Sequence, residues 1–312
     1  MIANYNKKKP KNQEVSKYIK KHLREKTNNR FCQCGNWINF LTDEEVKKMK
    51  VHQARFCSNR FCPMCAWRLS QKNAMMLDVM MQYIEEEHKK DFILLTLTAP
   101  NVLGEDLSEE INRYNDALKK LFKREEVIAI SHGYGRKLEV TYNSKRNDYH
   151  PHFHVLIVVS KSYFKSRDYI SQQKWLTLWR DVMQDETITQ VDVRRAKKNI
   201  AGADGRNKIV NEIAKYAAKD SDYAYSQEVF DTFYKSLKGR QILTFNGLFK
   251  QAAKMYKEKE LDHYKTKDET EYKWLIAYQW GGQAYTETNR REITEDEYKE
   301  LKKIAIDENA LG

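Results

Sequence analysis

The sequence has few of the features that mark flexible linkers, membrane segments or secretion signals. Only four of its 312 residues are proline, and no stretch is rich in serine and glycine, so we predict no flexible interdomain linker. No apolar run approaches the roughly 20 residues that a membrane-spanning helix needs. The first residues, MIANYNKKKPKNQ, are basic and lack the apolar core of a secretory signal. We therefore expect a cytoplasmic protein without a membrane partner.

Cysteine is absent outside one short segment. All five cysteines lie between Cys32 and Cys65, and an odd number in one segment argues against a disulfide framework and for a metal site. The motif RFCQCGNW supplies Cys32 and Cys34, and RFCSNRFCPMCAWR supplies Cys57, Cys62 and Cys65. Four thiolates would close a tetrahedral zinc site of the structural kind, with one cysteine left over. The alternative is a group of free buried cysteines.

Acidic residues are scarce near the N-terminus. The chain carries 56 Lys and Arg against 44 Asp and Glu, a net charge of +12. Residues 1–30 hold 10 basic and 2 acidic residues, whereas residues 250–312 hold 12 and 14. A basic arm favours a polyanionic partner such as nucleic acid, and a solvated tail is the alternative. The same two interpretations, phosphate contact or ordinary surface charge, apply to three arginines around the cysteines: Arg55, Arg60 and Arg68.

Apolar patterns alternate between helix and strand from residue 66 onward. Helical spacing occurs in residues 66–88, 105–123, 170–184 and Lys208–Lys219. Strand patterns occur at Phe92–Ala99, within Val127–Tyr142, at His152–Val159 and at Gln190–Arg195. The order β-α-β-β-α-β predicts an α+β fold of the ferredoxin-like or RRM-like type, with four antiparallel strands and helices on one face.

The motif HPHFH brings two histidines to one face of a predicted strand. Side chains alternate along a strand, so His152 and His154 point the same way, about 7 Å apart, within reach of one divalent ion. A turn centred near Arg146 would place Glu139 beside them as a third ligand, and His150 is a weaker candidate. Two histidines and a carboxylate leave coordination positions open for phosphate oxygens and water. The alternative is a set of surface histidines without a ligand.

The motif NEIAKYAAK places three polar groups on one face of a predicted helix. Glu212 and Tyr216 are four residues apart, and Lys219 follows three residues later. A phenol can attack phosphorus while a lysine offsets the developing charge and a carboxylate activates a second nucleophile. The spacing alone is a weak signal, because Glu and Tyr four residues apart are common in helices. Its combination with the histidine strand is far more specific.

Four motifs in order resemble those of the HUH endonucleases, and more narrowly the rolling-circle plasmid replication initiators of Gram-positive bacteria. They are LTLTAPN, GYGRKLEVTYN, HPHFHVL and EIAKYAAK, and the resemblance covers about residues 30–225. The family has a CG element followed by C-x4-C-x2-C. This implies a zinc site of Cys34, Cys57, Cys62 and Cys65, with Cys32 as the extra cysteine. One departure is Arg68-Leu69, where the family often has an arginine pair.

The resemblance implies a chemistry for these residues. Tyr216 would attack a phosphodiester of the plasmid origin, forming a 5′-phosphotyrosine and a free 3′-hydroxyl. His152 and His154 would bind Mg²⁺ or Mn²⁺. Glu212 would activate water to end the cycle, where related enzymes use a second tyrosine. Origin DNA is the expected partner, and a host helicase is a candidate second partner. Further candidates for DNA contact are Arg194, Arg195, Lys197 and Lys198.

The resulting domain prediction has four parts: a basic arm at 1–30, a zinc segment with a connecting helix at 31–90, an HUH catalytic domain at 91–224 and a mainly helical region at 225–312. Two alternatives to a rolling-circle nickase remain. One is an HUH transposase or mobilisation relaxase, although no helicase or long relaxase extension is recognisable. The other is a non-catalytic zinc-bearing DNA-binding regulator, which an intact Tyr216, Glu212 and histidine pair argues against.

Overall fold

The structure, a computed structural model, describes residues 1–196, 208–215 and 217–298. Its helices are α1 Ile2–Ile19, α2 Glu25–Cys32, α3 Pro63–Glu87, α4 Leu107–Leu121, α5 Glu125–Ile130, α6 Gln172–Met183, α7 Lys208–Ala214, α8 Asp220–Tyr223, α9 Gln227–Leu237 and α10 Gly247–Lys257. Its strands are β1 Trp37–Thr42, β2 Met49–Ala54, β3 Lys90–Thr98, β4 Gly133–Asn143, β5 Asp148–Ser160, β6 Val191–Arg195, β7 Leu243–Asn246, β8 Trp274–Trp280 and β9 Tyr285–Glu292. The fold is α+β with antiparallel sheets, as predicted. Within the described ranges, no helix is long and apolar enough to cross a bilayer.

The chain divides into two compact units that differ from the four predicted parts. Of the described residues, 1–75 and 265–298 form the first unit, and those between 76 and 264 form the second. The first unit contains a sheet with the strand order β2-β1-β8-β9. Strands from both ends of the chain therefore share one sheet, a long-range pairing that local sequence patterns do not reveal.

The basic N-terminal arm is a folded helix. In α1 one face is buried, with Tyr5, Val15 and Ile19 fully inaccessible to solvent. These positions follow helical spacing, although the many lysines between them conceal it. The interpretation of residues 1–30 as a solvated tail is therefore wrong.

The prediction of a mainly helical region at 225–312 is also wrong for the part that the structure describes. Residues 225–298 contain α9 and α10 together with three strands, β7, β8 and β9. The aromatic stretch YKWLIAYQWGGQAY forms β8, a turn and the start of β9. Large aromatic and β-branched side chains at this density favour strands, which was the signal available in the sequence.

The second unit is built on a five-stranded antiparallel sheet. Its order is β6-β3-β5-β4-β7, so the four predicted strands form the sheet and β7 is added at the edge next to β4. Helices α4 and α6 lie on one face, where Tyr114 and Trp179 contact each other edge to face and Tyr114 contacts Phe153 of β5. The Trp179 indole also donates a hydrogen bond to the Thr98 carbonyl. This apolar face anchors the central strands.

The pairing of β4 with β5 determines which side chains lie on the sheet face opposite α4 and α6. Glu139 lies opposite His152, and Lys137 lies opposite His154. The sequence placed residue 139 opposite residue 153 or 154, one or two positions from the observed pair, because the turn is centred slightly before Arg146. The shift leaves Glu139 beside both histidines, since side chains two residues apart share a face.

Helix α7 is shorter than the sequence pattern indicates. The prediction ran from Lys208 to Lys219, but α7 ends at Ala214. Lys219 instead directly precedes the short helix α8 and is exposed. The backbone carbonyl of Ala217 accepts a hydrogen bond from the Val140 amide of β4. The single helix face for Glu212 and Lys219 is therefore wrong.

Candidate active site and metal-binding groups

Glu139, His152 and His154 form one of two groups in the described chain that could hold a metal ion. The Glu139 Oε2 atom lies 3.3 Å from His154 Nε2 and 3.8 Å from His152 Nε2. One nitrogen from each ring and one carboxylate oxygen therefore converge on a small volume. Three protein ligands leave positions open, which is typical of catalytic rather than structural sites.

Burial sets the protonation of this group. Burial, together with the neighbouring His154, lowers the pKa of His152 to about 4, so its ring is neutral at pH 7. Burial alone would raise the pKa of Glu139, but hydrogen bonding to His154 and the charge of Lys137 bring the pKa below its usual value. A neutral imidazole and an ionised carboxylate are the forms that bind metal ions.

The other nitrogen of His154 contacts Glu212. The His154 Nδ1 atom lies 3.5 Å from Glu212 Oε1 and 3.3 Å from Thr96 Oγ1. A metal-binding imidazole commonly donates its second N–H to a carboxylate or hydroxyl, which fixes the tautomer and the ring orientation. The structure thus brings Glu212 of the NEIAKYAAK motif to the HPHFH strand. Glu212 also pairs with Arg194, whose Nη2 lies 3.0 Å from Oε1.

Lys137 belongs to the site, and the sequence interpretation missed it. Its side chain is fully buried, and its Nζ donates hydrogen bonds to Glu139 Oε2 at 2.8 Å and to the Glu212 carbonyl oxygen at 3.3 Å. Burial lowers the pKa of Lys137, and the Glu139 charge opposes that effect. The available signal was its position two residues before Glu139, which places both side chains on one strand face.

Three of the predicted site residues lie outside the described residues: Tyr216, Lys197 and Lys198. The described residues on either side of position 216 both contact β4. The Glu212 carbonyl accepts from Lys137, and the Ala217 carbonyl accepts from Val140. Lys219 is exposed, and its predicted role stays a prediction.

The second candidate metal group is formed by four cysteines, Cys34, Cys57, Cys62 and Cys65. The Cys34 Sγ atom lies 3.5 Å from the Sγ atoms of Cys62 and Cys65, and the Cys57–Cys65 distance is 3.6 Å. A tetrahedral zinc with Zn–S bonds of about 2.3 Å separates its sulfurs by about 3.8 Å, close to these values. Burial raises the pKa of the Cys62 thiol, and a cation bound to the group would stabilise its thiolate form. Cys32 is exposed and outside the group.

Two buried residues of α1 support the cysteine group. The Lys9 Nζ donates to the carbonyl oxygens of Cys32 at 3.0 Å and Cys34 at 2.8 Å, and the Asn12 amide donates to the Cys62 sulfur at 3.3 Å. Hydrogen bonds of this kind orient metal ligands and stabilise negative charge on sulfur. The sequence interpretation counted Lys9 only as part of the basic arm.

The arginines proposed for DNA contact have different surroundings. Arg55 and Arg60 are exposed in the first unit. The Arg68 guanidinium is half-buried, 3.7 Å from the centre of the Phe56 ring, so packing already accounts for it. Arg195 pairs with Asp91 across the sheet. Only Arg194 reaches the histidine site.

Comparisons with known proteins place this chain among replication proteins. The sequence profile of the family described as "Replication protein" matches residues 48–286. The protein named "Protein rep" from Staphylococcus aureus is 50% identical over 223 residues, which cover 71% of this chain and 95% of that protein. "Protein rep" from Bacillus amyloliquefaciens is 35% identical over 243 residues, covering 72% of this chain and 71% of that one. A "Protein rep" from Lentilactobacillus hilgardii is 33% identical over 264 residues, covering 80% and 82%. No solved structure matches.

The chain is thus an α+β protein with antiparallel sheets and two groups that could hold a metal ion. One has two histidines and a carboxylate with open positions, and the other has four cysteines. The chain belongs to the replication-protein family, and the resemblance to plasmid Rep initiators stated from its motifs is confirmed.

The composition of the four-cysteine group leads us to predict which cysteines are needed for metal binding. Cys62→Ser should lose about one equivalent of tightly bound metal, because a closed tetrahedral site needs all four ligands. Cys32→Ser is the matched control, since Cys32 is exposed and outside the group. Elemental analysis after dialysis against a chelator measures the difference. Equal metal content in the two variants would contradict the assignment.

We expect removal of the Lys137 charge to strengthen metal binding rather than weaken it. The attraction between Lys137 and Glu139 exists with and without metal, so its loss in Lys137→Met largely cancels. The remaining change is the removal of a positive charge next to the ion. Even two unit charges 4 Å apart repel by about 4 kcal/mol when the effective dielectric constant is about 20, and the ion is divalent. We expect at least about tenfold tighter Mn²⁺ binding by titration calorimetry.

The control for this prediction is Lys119→Met, which removes an exposed lysine from α4. It should leave the Mn²⁺ affinity unchanged. Weaker Mn²⁺ binding by Lys137→Met would show that Lys137 acts by orienting Glu139, not by opposing the ion.

Proposed function

We propose that this protein initiates rolling-circle replication of a plasmid by nicking one strand of the origin. Tyr216 is the nucleophile, and the intermediate is a 5′-phosphotyrosine. The observation that carries the proposal is the convergence of Glu139, His152 and His154 on one sheet face, with Glu212 in contact with His154. Membership of the replication-protein family supports it independently.

The proposed fold is the HUH endonuclease version of the ferredoxin-like sheet. The strand order β6-β3-β5-β4 supports it, because β3 and β5 are then the two central strands and the histidines lie on β5. A site at the centre of a sheet is held by strands on both sides. This rigid backbone suits a reaction that depends on exact alignment of a phosphate.

The metal groups have different proposed occupants. Mg²⁺ or Mn²⁺ fits Glu139, His152 and His154, because the set mixes a hard oxygen ligand with imidazoles and leaves positions open. When bound, that ion would polarise the phosphate and stabilise developing negative charge. Zn²⁺ fits the four cysteines and has a structural role, since no open position remains.

The chain's own residues complete the chemistry. The Tyr216 oxygen forms a bond to phosphorus while the bond from phosphorus to the 3′ oxygen breaks, and that oxygen leaves as a hydroxyl. Arg194 is held by Glu212 at the edge of the site, where it can balance phosphate charge. Glu212 later takes a proton from water, whose oxygen bonds to phosphorus while the bond from phosphorus to the Tyr216 oxygen breaks. The Tyr216 oxygen takes up a proton and is restored as a phenol, and the strand leaves with a 5′-phosphate. Lys219 remains a candidate for charge stabilisation.

The nucleophile is tested with Tyr216→Phe. Removing the hydroxyl should abolish the SDS-stable adduct with a labelled single-stranded origin oligonucleotide in the presence of Mn²⁺, while binding to the oligonucleotide changes little. Tyr169→Phe, at an exposed tyrosine outside the site, is the matched control and should form the adduct normally. A persistent adduct in Tyr216→Phe would remove Tyr216 from the mechanism.

Glu212 has two separable roles, general base and partner of His154. Glu212→Gln keeps a hydrogen-bond acceptor for His154 but cannot take a proton, so it should still nick while hydrolysis of the adduct slows by at least about 100-fold. Glu212→Ala should in addition weaken Mn²⁺ binding by about tenfold or more, because His154 loses its carboxylate partner and keeps only the neutral Thr96 hydroxyl. Gel assays of nicking and adduct decay, together with Mn²⁺ titration, separate the two. Normal adduct decay in Glu212→Gln would refute the base.

A further inference from the structure

The candidate metal site is one end of a longer row of polar side chains. On the face of β4 and β5 that bears the histidines, four consecutive cross-strand pairs are polar: Lys137 with His154, Glu139 with His152, Thr141 with His150, and Asn143 with Asp148. Successive pairs are about 7 Å apart, because each step along a strand covers two residues. The row therefore extends about 14 Å from His152 to the hairpin that joins the two strands.

A cavity of about 570 Å³ lies at the hairpin end of this row. It falls within the range of about 300–1,000 Å³ that is typical of sites for small organic groups. Its lining offers both hydrogen-bonding and positively charged side chains, namely Asn101, Thr141, Asn143, Lys145, Arg146 and His150. The row of polar pairs thus connects the cavity directly to the metal ligands.

One carboxylate orders the groups around the cavity. Asp148 accepts a hydrogen bond from the Asn101 amide at 2.7 Å and another from the Arg146 Nε at 2.7 Å. Arg146 uses its Nε–H here, and its two terminal nitrogens carry the other four N–H donors. At the inner end, His150 Nε2 lies 3.1 Å from Thr98 Oγ1. Asn101, Arg146 and His150 therefore each have a hydrogen-bond partner that orients them, which favours specific binding.

The charge of the lining indicates the ligand. Lys145 and Arg146 line the cavity, and the neighbouring Asp148 carboxylate pairs with Arg146, so the charge of Lys145 is left to favour an anion. The Asn143 oxygen accepts from the backbone amides of Lys145 and Arg146, which leaves its NH₂ group as a donor, and Asn101 keeps its oxygen as an acceptor beside the N–H that binds Asp148. Together they offer a donor and an acceptor to the edge of a base. A phosphate and a base together make a nucleotide, and bases are accessible to such a cavity in a single strand rather than in a duplex.

We propose that this cavity is a subsite for a nucleotide of single-stranded DNA that flanks the cleaved phosphodiester on one side. Arg146 and Lys145 bind its phosphate, and Asn101 and Asn143 contact its base. The proposal rests on the proposed function, because it takes the reacting phosphate to be at His152 and His154. The subsite would hold the strand on the hairpin side and so position the phosphate at the metal ligands.

The test uses Arg146→Gln, at an exposed position in the hairpin where folding should be unaffected. Binding is measured by fluorescence anisotropy without divalent metal, on a labelled single strand carrying the nick sequence and on shorter strands truncated stepwise from either end. Arg146→Gln should weaken binding to the full strand by about tenfold, as expected for loss of a charged phosphate contact. The effect should disappear when nucleotides on one particular side of the nick are removed, and persist when the other side is shortened.

Arg124→Gln is the matched control. It removes the same charge from the other face of the sheet, where Arg124 pairs with Asp181 of α6. Asn101→Ala is a second variant and should weaken binding to the same strands as Arg146→Gln. Equal losses for Arg146→Gln and Arg124→Gln, or an Arg146 effect that is the same on every truncated strand, would overturn the proposal, since either result indicates only overall charge.

Failure of the proposed function gives a different result. If the wild-type protein forms no adduct with any origin strand, the nicking assignment fails. The subsite is then examined with a 12-nucleotide oligothymidylate, for which Arg146→Gln should still weaken binding relative to Arg124→Gln. If the wild type nicks normally and the two variants bind alike, the subsite alone is wrong.

Discussion

The pairing of β4 with β5 is the constraint on which the candidate site depends. A shift of one residue would turn every side chain of a strand to the opposite face. In the observed register Glu139 faces His152, while Phe153 on the other side packs against Tyr114 of α4. The apolar face thus holds the polar face in register. The same register turns His154 towards Glu212 of α7.

Each of the two candidate metal groups has a buried lysine beside it, and the two lysines act in opposite electrostatic senses. A divalent ion on four thiolates would leave two negative charges, which Lys9 partly offsets from α1. A divalent ion on two neutral histidines and Glu139 would leave one positive charge, to which Lys137 adds another. The first arrangement favours a permanent structural ion. The second favours an incoming anion such as a phosphate, as the proposed nicking reaction requires.

Much of the second unit could be predicted from the sequence, because its signals are local. The strand alternation of HPHFH identified His152 and His154, and the turn length brought Glu139 close to them. Lys137 could have been found by the same alternation. What could not be predicted depends on contacts distant in sequence. The pairing of β1 with β8 joins residues more than 200 positions apart, and the burial of Lys9 depends on carbonyls at Cys32 and Cys34. The end of α7 at Ala214 could not be predicted either, because the helical sequence pattern continues beyond it.

The central claim is that His152, His154 and Glu139 hold one ion between β4 and β5. The most direct measurement is pulsed electron paramagnetic resonance of Mn²⁺ bound to the protein, which detects nitrogen nuclei coordinated to the ion. The account predicts couplings from two imidazole nitrogens in the wild type, from one in His152→Ala, and from two in Phe153→Leu, where the change lies on the opposite face. A spectrum without imidazole nitrogen, or one that His152→Ala leaves unchanged, would contradict it.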